Sequence, residues 1–140
     1  MSEFALHPQL VQDTLTITDW PLCRVLRMND TAYPWLILVP RRADCREITD
    51  LANTERHQLM DEISQASDAL QQDCNPTKIN VGALGNMVPQ LHIHVIARFA
   101  GDPAWPKPVW GLQPPQPFDQ AGLERETSRW RHLLAVPQAQ

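Results

Sequence analysis

The stretch Gln90-Leu91-His92-Ile93-His94-Val95-Ile96-Ala97-Arg98 constrains this chain more than any other. Strict alternation of this kind marks a β-strand, because successive side chains on a strand point to opposite faces. It predicts one row of Gln90, His92, His94 and Ile96, and a second row of Leu91, Ile93, Val95 and Ala97. An apolar row needs burial, so this strand belongs to a sheet with at least one covered face. The imidazole row is either the wet side of a half-buried strand or part of an active site.

The neighbouring segments supply the rest of a sheet. Residues 14–18 alternate, and residues 22–28 form a second strand, joined by the turn Asp19-Trp20-Pro21 into a hairpin. Residues 35–39 are a continuous apolar run ending at Pro40, which predicts a central strand buried on both faces. Asn53 or Thr54 offers an N-cap to a long helix whose apolar stripe is Leu59, Met60, Ile63, Ala66 and Leu70, and Asn75-Pro76 stops it. Residues 77–81 form a strand, and residues 82–89 form a glycine-containing loop leading to the histidines. After Arg98 the chain is irregular and stiffened by prolines, with Trp105 and Trp110 expected in packing roles. Asp119 can cap a last helix with its stripe at Leu123, Thr127, Trp130 and Leu134, and residues 136–140 read as a frayed tail.

Short connections between neighbouring strands favour antiparallel pairing. The expected fold is α+β: a single domain over residues 1–140, with an antiparallel sheet of about five strands, one long helix and a C-terminal helix. The row Leu91, Ile93, Val95 should face the long helix, and the histidine row should face away from it. At 43% hydrophobic residues the chain has enough apolar mass for a core. A net charge of −4 argues against a surface that coats nucleic acid. The three cysteines are widely and irregularly spaced, which fits a reducing cytosol better than a disulfide framework. The first residues lack the basic and apolar regions of a signal peptide, and no window is apolar enough for a membrane span.

Three kinds of chemistry suit paired histidines. They could give two ligands to a metal, although a catalytic site needs a third. They could serve binding without chemistry. Or one imidazole could be a nucleophile, carrying an acyl or phosphoryl group, with its second nitrogen donating to an acceptor that fixes the tautomer.

Asn80-x-Gly82-x-x-Gly85, followed by Gln90-Leu91-His92-Ile93-His94-Val95-Ile96, resembles the signature of the histidine triad family. In that signature three histidines alternate with apolar residues after a glycine-containing loop. Leu36-Ile37-Leu38-Val39-Pro40-Arg41-Arg42 resembles the family's hydrophobic strand with its Pro-basic end. Trp105-Pro106 is similar to the Trp-Pro segment of the nucleoside-phosphoramidase branch. The resemblance implies a nucleotidyl-histidine mechanism. In it His92 attacks the α-phosphorus of a nucleoside phosphate derivative, and His94 contacts the phosphate and the leaving group. Gln90 stands where the family's first histidine usually stands and is the third catalytic candidate, expected on the face of His92 and His94 within hydrogen-bonding reach of the phosphate or the leaving group; an amide cannot titrate, so a proton-transfer role at this position would be limited.

By the same resemblance, Asn80, Gly85 and Asn86 are nucleotide-binding candidates, and Asn29 or the adjacent Asp30 lies where the family contacts the ribose. Met87 stands where many members carry a hydroxyl. The implied activity is a nucleotide hydrolase or nucleotidyl transferase acting on dinucleoside polyphosphates, phosphoramidates or adenylates. A nucleotide-binding module with little turnover is the alternative. No metal or other cofactor is required, although a polyphosphate substrate would bring magnesium. The family resemblance and an expected exposed sheet edge imply a homodimer. Nucleic-acid and membrane partners are not expected.

Overall fold

A computed structural model describes residues 3–135. The chain opens with helix α1 (Pro8–Asp13), then strands β1 (Thr14–Asp19), β2 (Cys23–Met28) and β3 (Trp35–Pro40). A single 3-10 turn (Ile48–Asp50) leads to the long helix α2 (Asn53–Cys74). Strands β4 (Lys78–Gly82) and β5 (Ile93–Arg98) and helix α3 (Gln120–Ala135) complete it. The five strands form one antiparallel sheet in the order β1-β2-β3-β5-β4. This is the α+β architecture that the sequence predicts. The expected tail over residues 136–140 lies outside the described residues.

Strand β3 is buried at every position, as a continuous apolar run requires. On one face of the sheet, Leu36, Leu38, Ile93, Val95 and Ala97 pack with Leu59, Ala66 and Leu70 of α2 and Trp130 and Leu134 of α3. The opposite face carries Leu26, Trp35, Ile37 and Ile96. Both expected helices thus pack on one face, and the second face is covered as well, chiefly by irregular segments and the short α1. Leu10 of α1, Phe4 and Leu6 of the N-terminal segment, and Ala104 and Val109 of the proline-rich segment lie against it.

Two helix details also differ from the sequence reading. Helix α2 starts before either expected cap, Asn53 or Thr54, with Ala52 at the cap position and its amide donating to Glu55 Oε1 at 2.8 Å. Met60 is not on the buried stripe; it is 61% exposed. Glu62 is fully buried in its stead, because its carboxylate accepts from the Leu22 and Cys23 amides at 2.9 and 2.8 Å and from Gln58 Nε2 at 2.7 Å. Helix α3 begins as expected, with Asp119 Oδ1 accepting from the Gly122 amide at 2.7 Å.

Candidate active site

Strand β5 begins at Ile93, not at Gln90. Its pairing with β3 ends at Leu38↔Ile93, and the Leu91 amide turns instead to the Cys45 carbonyl at 2.9 Å. His94 is therefore inside the sheet, and His92 sits just before it. Both are buried, 7% exposed each, with ring centroids 4.9 Å apart. Together they line a cavity of about 650 Å³.

The two imidazoles have opposite partners. His92 Nδ1 lies 2.7 Å from the Gln90 carbonyl oxygen. A carbonyl only accepts, so Nδ1 carries the proton and Nε2 keeps the lone pair. His94 Nδ1 lies 3.0 Å from Trp35 Nε1. An indole only donates, so Nδ1 of His94 is the acceptor and the proton of the neutral ring is on Nε2. Burial, helped by the neighbouring His92, pushes the His94 imidazole down to about 3. His94 is thus neutral at physiological pH and presents an N–H, while His92 in its neutral form presents a lone pair.

Gln90 is placed differently from its sequence expectation. It lies outside β5, and its side chain does not line the cavity. Gln90 Oε1 accepts from the His7 amide and Nε2 donates to the Ala5 carbonyl, both at 2.9 Å. The side chain thus pins the N-terminal segment, and the residue meets the site through its backbone carbonyl. Asn80 also lies away from the cavity wall. Its Oδ1 accepts from Arg98 at 2.9 Å. Arg98 is fully enclosed, paired with Asp102 at 2.7 Å and donating to the Lys107 carbonyl at 2.8 Å. Burial alone would raise the Asp102 carboxyl, but Arg98 and the Phe99 and Trp105 amides hold it down to about 2. This cluster anchors the proline-rich segment behind the site.

Asn29, Gly85 and Asn86 do line the cavity. Gly85 has φ +73°, in the left-handed region that favours glycine. The Asn29 side chain accepts from the Phe118 amide at 2.9 Å, and Asp30 accepts from the Ala32 amide at 2.9 Å. Among the described residues, no group of three or more His, Cys, Asp or Glu could hold a metal ion.

Sequence reading missed Trp35, Trp110 and Asp13 as cavity residues. Trp110, expected in packing, stands edge-on to His94 with centroids 5.4 Å apart. Its six-membered ring lies 3.0 Å from where a Cβ would be on Gly82, so the glycine makes room for it. The available signal was Gly82 itself, which pairs with His94 across β4 and β5.

The HIT domain family model matches residues 9–101. The structure is similar to that of a histidine triad protein from Marinobacter aquaeolei VT8, at 46% identity and a TM-score of 0.92, covering 96% of this chain and 98% of that one. It is also similar to one from Bradyrhizobium japonicum, at 47% identity and a TM-score of 0.89, covering 95% and 99% of the two chains. A third, from Sinorhizobium meliloti 1021, is 41% identical with a TM-score of 0.87, covering 94% and 95%. No curated protein matches the chain in sequence.

Proposed function

The chain belongs to the HIT domain family, and from that premise we propose that it is a nucleotide hydrolase or nucleotidyl transferase acting at the α-phosphate of a nucleoside phosphate derivative. The observation that carries this reading is the hydrogen bond from His92 Nδ1 to the Gln90 carbonyl. It leaves Nε2 as the nucleophilic nitrogen of a residue that lines a nucleotide-sized cavity.

His92 Nε2 attacks the α-phosphorus, a P–N bond forms, and the bond to the leaving group breaks. The nucleotidyl-imidazole so formed is positively charged, and the Gln90 carbonyl faces its remaining N–H. Water then attacks phosphorus and returns the electron pair to Nε2, releasing a nucleoside monophosphate. His94 Nε2–H donates to a phosphate oxygen. Asn29, Gly85 and Asn86 are the nucleotide contacts; Asn80 acts from behind, through Arg98. The displacement requires no metal, and magnesium enters only with a polyphosphate leaving group. The three free thiols suit a reducing cytosol.

We also read the chain as a homodimer. Arg131 donates to the Thr16 and Ile17 carbonyls of edge strand β1, whereas edge strand β4 keeps Val81 49% exposed. No helix among the described residues is long and apolar enough to cross a membrane.

The test is nucleoside monophosphate release from a panel of adenosine and guanosine derivatives by the wild type and by His92→Ala. Loss of about three orders of magnitude or more, with the fold and weak nucleotide binding retained, is expected. A variant that keeps most of its rate sinks the covalent assignment. The engagement of the Gln90 side chain elsewhere favours a second reading, a binding module with little turnover, and binding without release by the wild type would select it.

A further inference from the structure

We propose that Trp110 is a phosphate-binding residue: its indole N–H donates to one non-bridging oxygen of the α-phosphate while His94 holds the other. This rests on the α-phosphate reading above and deepens it. Among the described residues, two buried polar atoms on cavity-lining side chains lack a hydrogen-bond partner, the Tyr33 hydroxyl and Trp110 Nε1. The Tyr33 ring lies 5.8 Å from the Arg98 guanidinium carbon, among the groups that anchor the proline-rich segment. Trp110 lies beside the histidines, with its ring centroid 5.4 Å from that of His94. A buried N–H without an acceptor is destabilising, so one kept in a cavity wall calls for an acceptor that arrives with the ligand.

His94 has two tryptophan neighbours. Trp35, with centroids 5.6 Å apart, commits its N–H to His94 Nδ1. Trp110 carries the same donor, and no described residue takes it up. An indole N–H only donates, so its natural partner is an anion or another pure acceptor. His92 Nε2 must reach phosphorus, and the His92 and His94 rings are 4.9 Å apart, so the α-phosphate lies at this end of the cavity. Two neutral donors, His94 Nε2–H and Trp110 Nε1–H, then meet a group with two non-bridging oxygens.

The sheet makes room for this arrangement. Gly82 pairs with His94 across β4 and β5, and directly opposed residues share a face. A Cβ on Gly82 would therefore point to the histidine face, where it would meet Trp110 Cη2 at 3.0 Å and Cζ2 at 3.5 Å. Glycine here lets the six-membered ring sit against the sheet next to His94. The segment that delivers Trp110 is held from behind. Arg98 donates to the Lys107 carbonyl at 2.8 Å, and Asp102 accepts from the Ala104 and Trp105 amides at 3.1 and 2.8 Å. Asn80, bonded to Arg98, thus serves the phosphate end of the site through Trp110.

The experiment uses the p-nitrophenyl ester of adenosine 5′-phosphate and its Rp and Sp α-phosphorothioates, with the full chain, Trp110→Phe and His92→Ala. Sulfur is a weak acceptor, so each diastereomer weakens the contact of one donor. Trp110→Phe should lower kcat/KM for the oxygen ester by about 10- to 100-fold. For one diastereomer the loss should be no more than about threefold, so that one oxygen-to-sulfur ratio collapses and the other is kept. Equal losses on all three esters make Trp110 a packing residue and overturn the inference, as does an unchanged rate.

A second measurement does not depend on turnover. The indole proton resonance of Trp110 is identified by its absence in Trp110→Phe, or by its displacement in Gly82→Ala if the first variant does not fold. Adenosine monophosphate should move it downfield more than any other indole resonance. A resonance unmoved at millimolar nucleotide overturns the inference even where His92-dependent cleavage stands. A moved resonance with no His92-dependent cleavage of any ester keeps Trp110 as the phosphate donor of a binding module, and the covalent reading falls alone.

Discussion

Acid should destabilise this protein through His94 in a way that substitution can isolate. An unperturbed histidine titrates near 6.5. Burial and the neighbouring His92 push the folded-state value of His94 down to about 3. Between those values the unfolded chain binds the proton and the folded chain does not, so stability rises with pH and is lost as pH falls below about 6.5. Between pH 7.5 and pH 5 the single-site linkage relation gives a loss of about 2 kcal/mol, and the loss continues to grow until pH falls below the folded-state value. A discount for solvent is small here, since His94 is 7% exposed. The comparison is His94→Asn, whose amide oxygen replaces Nδ1 as the acceptor for Trp35 Nε1 but does not titrate. Urea denaturation of both proteins at pH 7.5 and pH 5 cancels the other histidines and the carboxylates. The wild type should lose about 2 kcal/mol more than the variant over that interval. Parallel losses within about 0.5 kcal/mol would show that His94 titrates alike in both states, and the neutral-donor role would go with them.

Trp35→Phe removes the donor that holds His94 Nδ1 and leaves a buried acceptor unpaired; we expect a stability loss of about 1–3 kcal/mol and an upward shift of the His94 pKa, read by nitrogen chemical shifts across pH. An unmoved His94 titration would show that burial alone keeps the ring neutral. Gln90→His breaks the two hydrogen bonds to Ala5 and His7 and should lower activity on every substrate alike, with no new step in the pH–rate profile. A gain confined to poor leaving groups would instead restore position 90 to proton transfer. Light scattering at micromolar concentration should give the mass of a dimer, and a monomer mass would count against β4 as a pairing edge.

Much of the fold was legible because it depends on local pattern. The hairpin, the doubly buried β3, the long α2 and the Asp119 cap follow from alternation, continuous apolar runs and capping chemistry. What escaped depends on distant partners. Helical spacing places Met60 at the margin of a stripe, and only the sheet decides which margin is covered. Glu62 reads as a surface residue until Leu22 and Cys23, some forty residues away, present it with two amides. Gln90 belongs to the alternating row in sequence. In the structure the strand starts later, because the side-chain period carries no information about where pairing ends. Asn80 shares the loop entry with the glycines, yet its partner is Arg98 on the neighbouring strand.

The alternating row also treats His92 and His94 as equivalent, and the structure makes them opposites. Each Nδ1 is engaged, one by a carbonyl that accepts and the other by an indole that donates. An exchange of roles would require a backbone acceptor beside His94 and a donor beside His92. Neither is a matter of rotating a side chain, since the acceptor is main chain two residues back and the donor is fixed on central strand β3. If the proposed roles hold, nucleophile and phosphate donor are assigned before any substrate arrives, which is the preorganisation that a displacement at phosphorus needs.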